Sequence, residues 1–223
     1  MDEQQATSIL QVLRENLALP NWTVMRHEPF KTLIATIISQ NTADNNTRRA
    51  FENLSNQFEV TPKDLSEAEI GKLEHCLHVA GLYQNKSKTI KAVSKIIEEK
   101  FGGSLDFILS LPLNKARRTL MNLPGIGPKT ADVVLLFCAN QPTVPVDTHV
   151  NRVSKRLGLA PENGDYELVR LSLQALFPPK DYLDLHLFLI AHGRKYCKAI
   201  KPLCIQCPVN SYCPSKSVGA KND

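Results

Sequence analysis

No apolar run in the 223 residues reaches the roughly 18 needed for a membrane span, so no membrane helix is expected. The first thirty residues are polar and carry Asp2 and Glu3, so no secretory signal peptide is expected there. Strict polar–apolar alternation is missing over any convincing length, and that excludes an extended β-sheet. Internal repeats, low-complexity tracts and flexible linkers are absent as well. A large charge imbalance is lacking: 27 Lys and Arg face 22 Asp and Glu, for +5 and a pI near 8.9. That excess permits a polyanionic partner without requiring one. The expectation is a soluble, intracellular protein of the cytoplasm or nucleoid. In that setting six cysteines point to metal binding or burial rather than disulfides.

What remains is a chain of helices with short connections, an all-α protein whose 43% hydrophobic residues can build a core. Ile9, Leu10 and Leu13 give residues 5–16 one apolar face, and Pro20 is expected to end that helix before a loop through Trp22 and His27. The run from Pro29 to Gln40 is apolar nearly all round, which marks a buried helix. It switches abruptly to the polar string from Ser39 to Thr47, either the tip of a core helix at a wet site or a loop with a helix cap. A helix is predicted over 47–58, and Ser66 with Glu69 has capping-box spacing for a helix through Ile70, Leu73 and Leu77. Gly81-Leu82-Tyr83 breaks the chain, and residues 86–101 form an amphipathic helix stopped by Gly102-Gly103. A short helix is predicted over 105–111, and further helices follow Asp147 and span 165–177 and 182–192.

Residues 113–147 carry the chemistry. Two helices flank Leu123-Pro124-Gly125-Ile126-Gly127, in which Pro124 blocks the first helix. Gly125 and Gly127 allow positive φ and close approach of a partner. The unpaired N–H groups opening the second helix, with its dipole, form an anion site suited to a DNA phosphate. Ile126 should pack inward and hold the helices together. Lys129 lies one turn into the second helix and Asp147 lies 18 residues further on. A neutral amine can attack the anomeric carbon of a nucleoside, and a carboxylate can stabilise the developing charge or move protons. The plainer roles are a phosphate-binding cation for Lys129 and a helix N-cap for Asp147.

Cys197, Cys204, Cys207 and Cys213 form C-x6-C-x2-C-x5-C, four thiols within seventeen residues that have too few apolar neighbours to fold unaided. Zinc and a 4Fe–4S cluster both accept four thiolates, and the spacing matches the cluster better. Arg194 and Lys195 just before the first of these cysteines, and Lys198 and Lys201 between the first two, give the loop a basic face for a phosphate backbone. Cys76 and Cys138 fall in apolar helical patterns and are expected to be buried free thiols.

Three motifs together resemble the endonuclease III family of DNA base-excision glycosylases. They are Leu123-Pro124-Gly125-Ile126-Gly127-Pro128-Lys129-Thr130-Ala131, Val146-Asp147-Thr148-His149-Val150, and His192-Gly193-Arg194 leading into the four cysteines. The resemblance implies two helical domains with a DNA cleft between them. One is a six-helix barrel over 22–141, with the helix–hairpin–helix at about 113–139. The other joins 1–21 to 142–223 and holds the cluster loop at 197–213. It further implies that Lys129 forms the Schiff base, that Asp147 is the catalytic aspartate, and that the four cysteines bind a 4Fe–4S cluster. DNA contacts would come from Gly125, Ile126, Gly127 and Thr130 and from Arg194, Lys195 and Lys198. Leu82 would wedge the opposite strand, and either Gln40 or Asn41 would fill the gap left by a flipped nucleotide. Asp132 stands where many members have Asn, and Pro128 where many have a basic residue. The expected activity is removal of oxidised pyrimidines from duplex DNA followed by β-elimination, by a monomer. A monofunctional glycosylase for mismatched adenine, thymine or uracil is the alternative, against which Lys129 argues. A non-catalytic DNA-binding cluster protein is the more distant one.

Overall fold

The computed structural model describes residues 1–19 and 28–216. Pro20, Trp22 and His27 lie outside the described residues. In chain order the helices are α1 (Glu3–Asn16), α2 (Pro29–Ser39), α3 (Asp44–Gln57), α4 (Pro62–Glu67), α5 (Ile70–Leu77), α6 (Tyr83–Phe101), α7 (Asp106–Ser110), α8 (Leu113–Met121), α9 (Pro128–Ala139), α10 (Thr148–Leu157), α11 (Tyr166–Leu176) and α12 (Tyr182–Lys195). Short 3₁₀ turns supplement them, and no strand occurs among the described residues, so the fold is all-α as expected. None of these helices is long and apolar enough to cross a membrane. The chain divides into two compact units, Val24–Gln141 and Met1–Thr23 with Pro142–Asp223.

The first unit is built on α2. Phe30, Leu33, Ile34, Ile37 and Ile38 are all buried, joined in one apolar cluster by Leu54 of α3, Leu73 of α5, Ile90 and Val93 of α6, and Val134 and Leu135 of α9. Each such side chain contributes on the order of 1.5–3 kcal/mol by leaving water. α8 and α9 are tied by a fork of Arg117 on Asp132: Nε to Oδ1 at 2.9 Å and Nη2 to Oδ2 at 3.2 Å. Asp132 is fully buried, and this pairing offsets the cost of burying a carboxylate there. Cys76 is buried as expected, whereas Cys138 is only half-buried and bonds to the Thr32 side chain. Burial raises the pKa of both thiols.

The capping box expected at Ser66 and Glu69 does not form. Thr61, followed by Pro62 at the first helical position, caps α4 by accepting from Asp64 N at 3.2 Å. Ser66 therefore lies inside α4, bonding back to Lys63 O, and Glu69 precedes α5 without a side-chain cap. Proline at the first turn outcompeted the later serine because its missing N–H and fixed φ suit a helix start. α3 likewise begins three residues before the predicted start, at Asp44, from an Ala43 that offers no side-chain cap.

In the second unit, α1 buries Ala6, Ile9, Leu10 and Leu13. It ends at Asn16, ahead of the proline expected to stop it. Arg14 anchors α1 through Asp181 and Asp184, both at 2.8 Å. Gly193 of α12 sits so close to α10 that a Cβ would meet His149 and Val153 at 3.0 and 3.1 Å.

Candidate functional site

The hairpin forms as its sequence implies. Gly125 adopts φ +71, and a Cβ there would come within 2.7 Å of Thr89 on α6, so both geometry and space require glycine. Ile126 is buried in the core beneath the turn. Gly127, read as allowing positive φ and close approach of a partner, does not use the first: it is extended at φ −92, ψ 177, and a Cβ there would meet nothing within 4 Å. The fold itself therefore does not demand glycine at this position; an approaching partner would. Gly127 is the N-cap of α9, gives it no side-chain cap, and is followed by Pro128 at the first helical position. An uncapped N-terminus with a bare N-cap is a suitable anion cradle. Lys129 follows Pro128, half-buried, at the positive end of the helix dipole.

Gln40 and Asn41, at the end of α2, have different surroundings. The amide of Gln40 donates to Gly125 O and to Thr130 Oγ1, both at 3.3 Å, and so is joined to the hairpin. Asn41 is exposed with φ 53. Leu82 also has a left-handed backbone, φ 49, and its side chain is 59% exposed. Thr130 is buried, so any contact it or Ile126 makes with a ligand falls to the main chain.

In the other unit, Asp147 caps α10, its Oδ1 accepting from Val150 N at 2.7 Å. Its approach is held by His186 Nδ1 against Pro145 O at 2.9 Å and by Tyr166 Oη, which accepts from Val146 N. Arg152 and Arg156, one turn apart on α10, are functional residues that the sequence reading missed. Arg152 reaches Cys197 O, Gly193 O and His149 Nδ1, at 3.0, 3.1 and 3.1 Å. Arg156 donates to Lys198 O at 2.7 Å, to Ala199 O at 3.2 Å, and lies 3.6 Å from Cys197 Sγ. The signal was available: a loop without regular structure leaves carbonyls needing donors, and an i, i+4 arginine pair lies upstream.

All four C-terminal cysteines line a cavity of about 30 Å³, together with Arg156, His192 and Tyr196. Burial pushes the Cys207 thiol up to about 11; the Val209 N–H opposes this, and charge on Cys213, Cys197 and Cys204 raises it further. Cys213 is raised for the same reasons, with the Ser215 N–H opposing. Four thiolates crowded this closely repel one another, and a bound cationic centre removes that penalty. Among the described residues no three His, Cys, Asp or Glu side chains are drawn around a point that would hold a single ion. His192 is buried and its Nε2 lies 3.7 Å from Cys207 Sγ. Burial lowers its pKa to about 4, leaving a neutral ring beside the thiols. Crowded thiols, N–H groups aimed at sulfur and arginines clamping the loop fit an iron–sulfur cluster. Around it stand the half-buried Arg194 and the exposed Lys195, Lys198 and Lys201.

An all-helical fold carrying a helix–hairpin–helix and a four-cysteine loop defines a class of DNA-repair protein. Residues 34–179 match the model of the HhH-GPD superfamily base excision DNA repair protein, and residues 197–213 the iron–sulfur binding domain of endonuclease III. The endonuclease III of Sulfolobus acidocaldarius is 40% identical over 185 residues, covering 82% of this chain and 81% of its own. That of Rickettsia felis is 35% identical over 215 residues, covering 96% and 95%. A solved structure of a trapped endonuclease III–DNA covalent intermediate superposes with a TM-score of 0.86 at 30% identity, covering 99% of this chain and 100% of that one. The chain belongs to the endonuclease III family. It is a base-excision repair enzyme, a DNA glycosylase/AP lyase, with a 4Fe–4S cluster as its cofactor.

Proposed function

We propose that the chain removes oxidised pyrimidines from duplex DNA as a monomer and then cleaves the strand, with Lys129 as nucleophile and Asp147 as its acid–base partner. The observation that carries this reading is the placement of Lys129 in the first turn of α9, directly behind a hairpin whose bare Gly127 leaves room for a phosphate. The phosphate would locate the sugar; the amine would attack C1′. The C1′–N bond breaks and the base leaves with its electron pair and takes up a proton. The attached amine loses a proton, and the C1′–O4′ bond then breaks with O4′ taking up a proton. The opened sugar is a protonated imine; this imine acidifies C2′, a proton leaves that carbon, and the 3′-phosphate departs by β-elimination. Water then frees the lysine. Asp147 would stabilise the positive sugar and carry these protons, while its cap on α10 fixes its direction.

Gln40 is already bound to the hairpin, which supports Asn41 as the residue that fills the gap left by the flipped nucleotide. The exposed Leu82 would wedge the opposite strand. Flipping costs a few kcal/mol and is cheapest at damaged pairs, so such plugs bear directly on rate. Cys197, Cys204, Cys207 and Cys213 would hold the cluster, which when bound keeps the loop in one shape. Arg194, Lys195 and Lys198 then present a basic face to the phosphates. Residues 22–141 would form the barrel domain and 1–21 with 142–223 the cluster domain.

The test is a panel of duplexes carrying thymine glycol, dihydrouracil, uracil opposite guanine, an abasic site or 8-oxoguanine, each with and without borohydride. The oxidised pyrimidines should be cleaved and trapped covalently, and Lys129→Ala should abolish trapping. Base release without any trapped adduct would indicate a monofunctional glycosylase instead.

A further inference from the structure

Lys86 is 4% exposed, yet none of the residues discussed so far explains why a lysine is buried there. It lies in the first turn of α6, near the positive end of the dipole, where a buried cation is doubly disfavoured. Its ammonium donates to three oxygens: Ile38 O at 2.8 Å, Ala80 O at 3.0 Å, and Thr42 Oγ1. Thr42 Oγ1 lies 2.6 Å from Ala80 O, so the hydroxyl closes a triangle with the ammonium. The three ammonium protons thus match three acceptors, all neutral.

Where those acceptors sit gives the arrangement its meaning. Ile38 O is a terminal carbonyl of α2, one of those a helix leaves without an internal partner. Thr42 lies directly after Asn41, and Ala80 lies directly before Gly81 and Leu82. The main-chain N–H of Lys86 also bonds Leu82 O at 3.0 Å, so this one residue holds the main chain both at Ala80 and at Leu82. Asn41 and Leu82 have φ 53 and φ 49. Asn visits this region readily; a leucine enters it only where its surroundings fix it there. Both side chains project into solvent from turns that share a single buried cation.

We propose that Lys86 is a positioning residue for DNA opening, tying the end of α2 to the turn before α6 so that Asn41 and Leu82 meet the duplex as one rigid pair. This rests on the reading that those two residues insert into DNA. An apolar side chain would fill the same space without the charge, but would leave three oxygens unbonded and the two turns free to move apart.

The test compares one lesion in a fully paired duplex with the same lesion inside a short unpaired bubble, where opening is already accomplished. Under single-turnover conditions Lys86→Met should slow excision from the duplex about tenfold or more and from the bubble by less than about threefold. The fluorescence rise of 2-aminopurine opposite the lesion should shrink in parallel. Equal losses on both substrates, or no loss on either, would overturn the proposal. Thr42→Val, which removes the hydroxyl from the triangle, is read by the same ratio and replaces Lys86→Met if that variant does not fold. Asn41→Ala and Leu82→Ala separate the two levels. If neither lowers the duplex-to-bubble ratio, the DNA-opening reading itself fails. If they lower it and Lys86→Met does not, only the role of Lys86 is lost.

Discussion

The hairpin at 122–127 and the cysteine loop at 197–213 are both short, irregular segments that offer positive charge or N–H groups, but they are held in opposite ways. The hairpin is fixed from below: Ile126 sinks into a core shared with α2 and α6, Gly125 abuts Thr89, and Arg117 grips Asp132 across the flanking helices. Of residues 197–216 only Val209 is buried. That loop is fixed from the side by Arg152 and Arg156 and from within by its thiols. Close packing can shape a turn that lies on a core; a turn that projects from the core needs directional bonds and a metal centre.

The strongest way to break this contrast is Cys204→Ser. Losing one thiolate should bleach the yellow-brown colour and weaken binding to an abasic-site duplex about a hundredfold, with helicity of the rest of the chain retained. Visible absorption, a DNA titration and circular dichroism read the three parts. Global loss of helicity would mean that the loop supports the whole fold. On the hairpin side, Arg117→Met should cost about 3–5 kcal/mol in urea unfolding, because it takes a forked charged partner from the buried Asp132 carboxylate. Asp132→Asn should cost less, since the amide still offers an oxygen to Arg117. Gly125→Ala should destabilise by about 2 kcal/mol, combining φ +71 with the approach to Thr89, and should leave the visible spectrum unchanged. Arg156→Ala should take about 1 kcal/mol from the loop and speed cluster bleaching in air without altering unfolding of the hairpin unit. The Lys95–Glu99 pair on the surface of α6 is the baseline: Glu99→Gln should change stability by less than about 0.5 kcal/mol.

The same contrast explains what could be read from the chain. The hairpin and the cysteine spacing are local patterns, and their residues fell where the motifs implied, with Gly127 extended rather than left-handed. The all-round apolar run of α2 identified a core helix because burial leaves its mark on every face. α4 was missed, and the helix through Ile70, Leu73 and Leu77 was given too early a start at Ser66, because the proline next to Thr61 opens a separate helix that encloses Ser66. Gln40 and Asn41 could not be told apart from adjacent letters. What distinguishes them is a bond from Gln40 to a turn 85 positions away. Arg152, Arg156 and Lys86 escaped because most of their partners are main-chain oxygens, which have no identity in a sequence.

The central claim is that the lysine behind the hairpin is the nucleophile. The direct measurement is to trap the enzyme on an abasic-site duplex with borohydride, digest the adduct and locate the modified residue by mass spectrometry. The account predicts the sugar fragment on Lys129 Nζ; its recovery on any other lysine or on the N-terminal amine would contradict it.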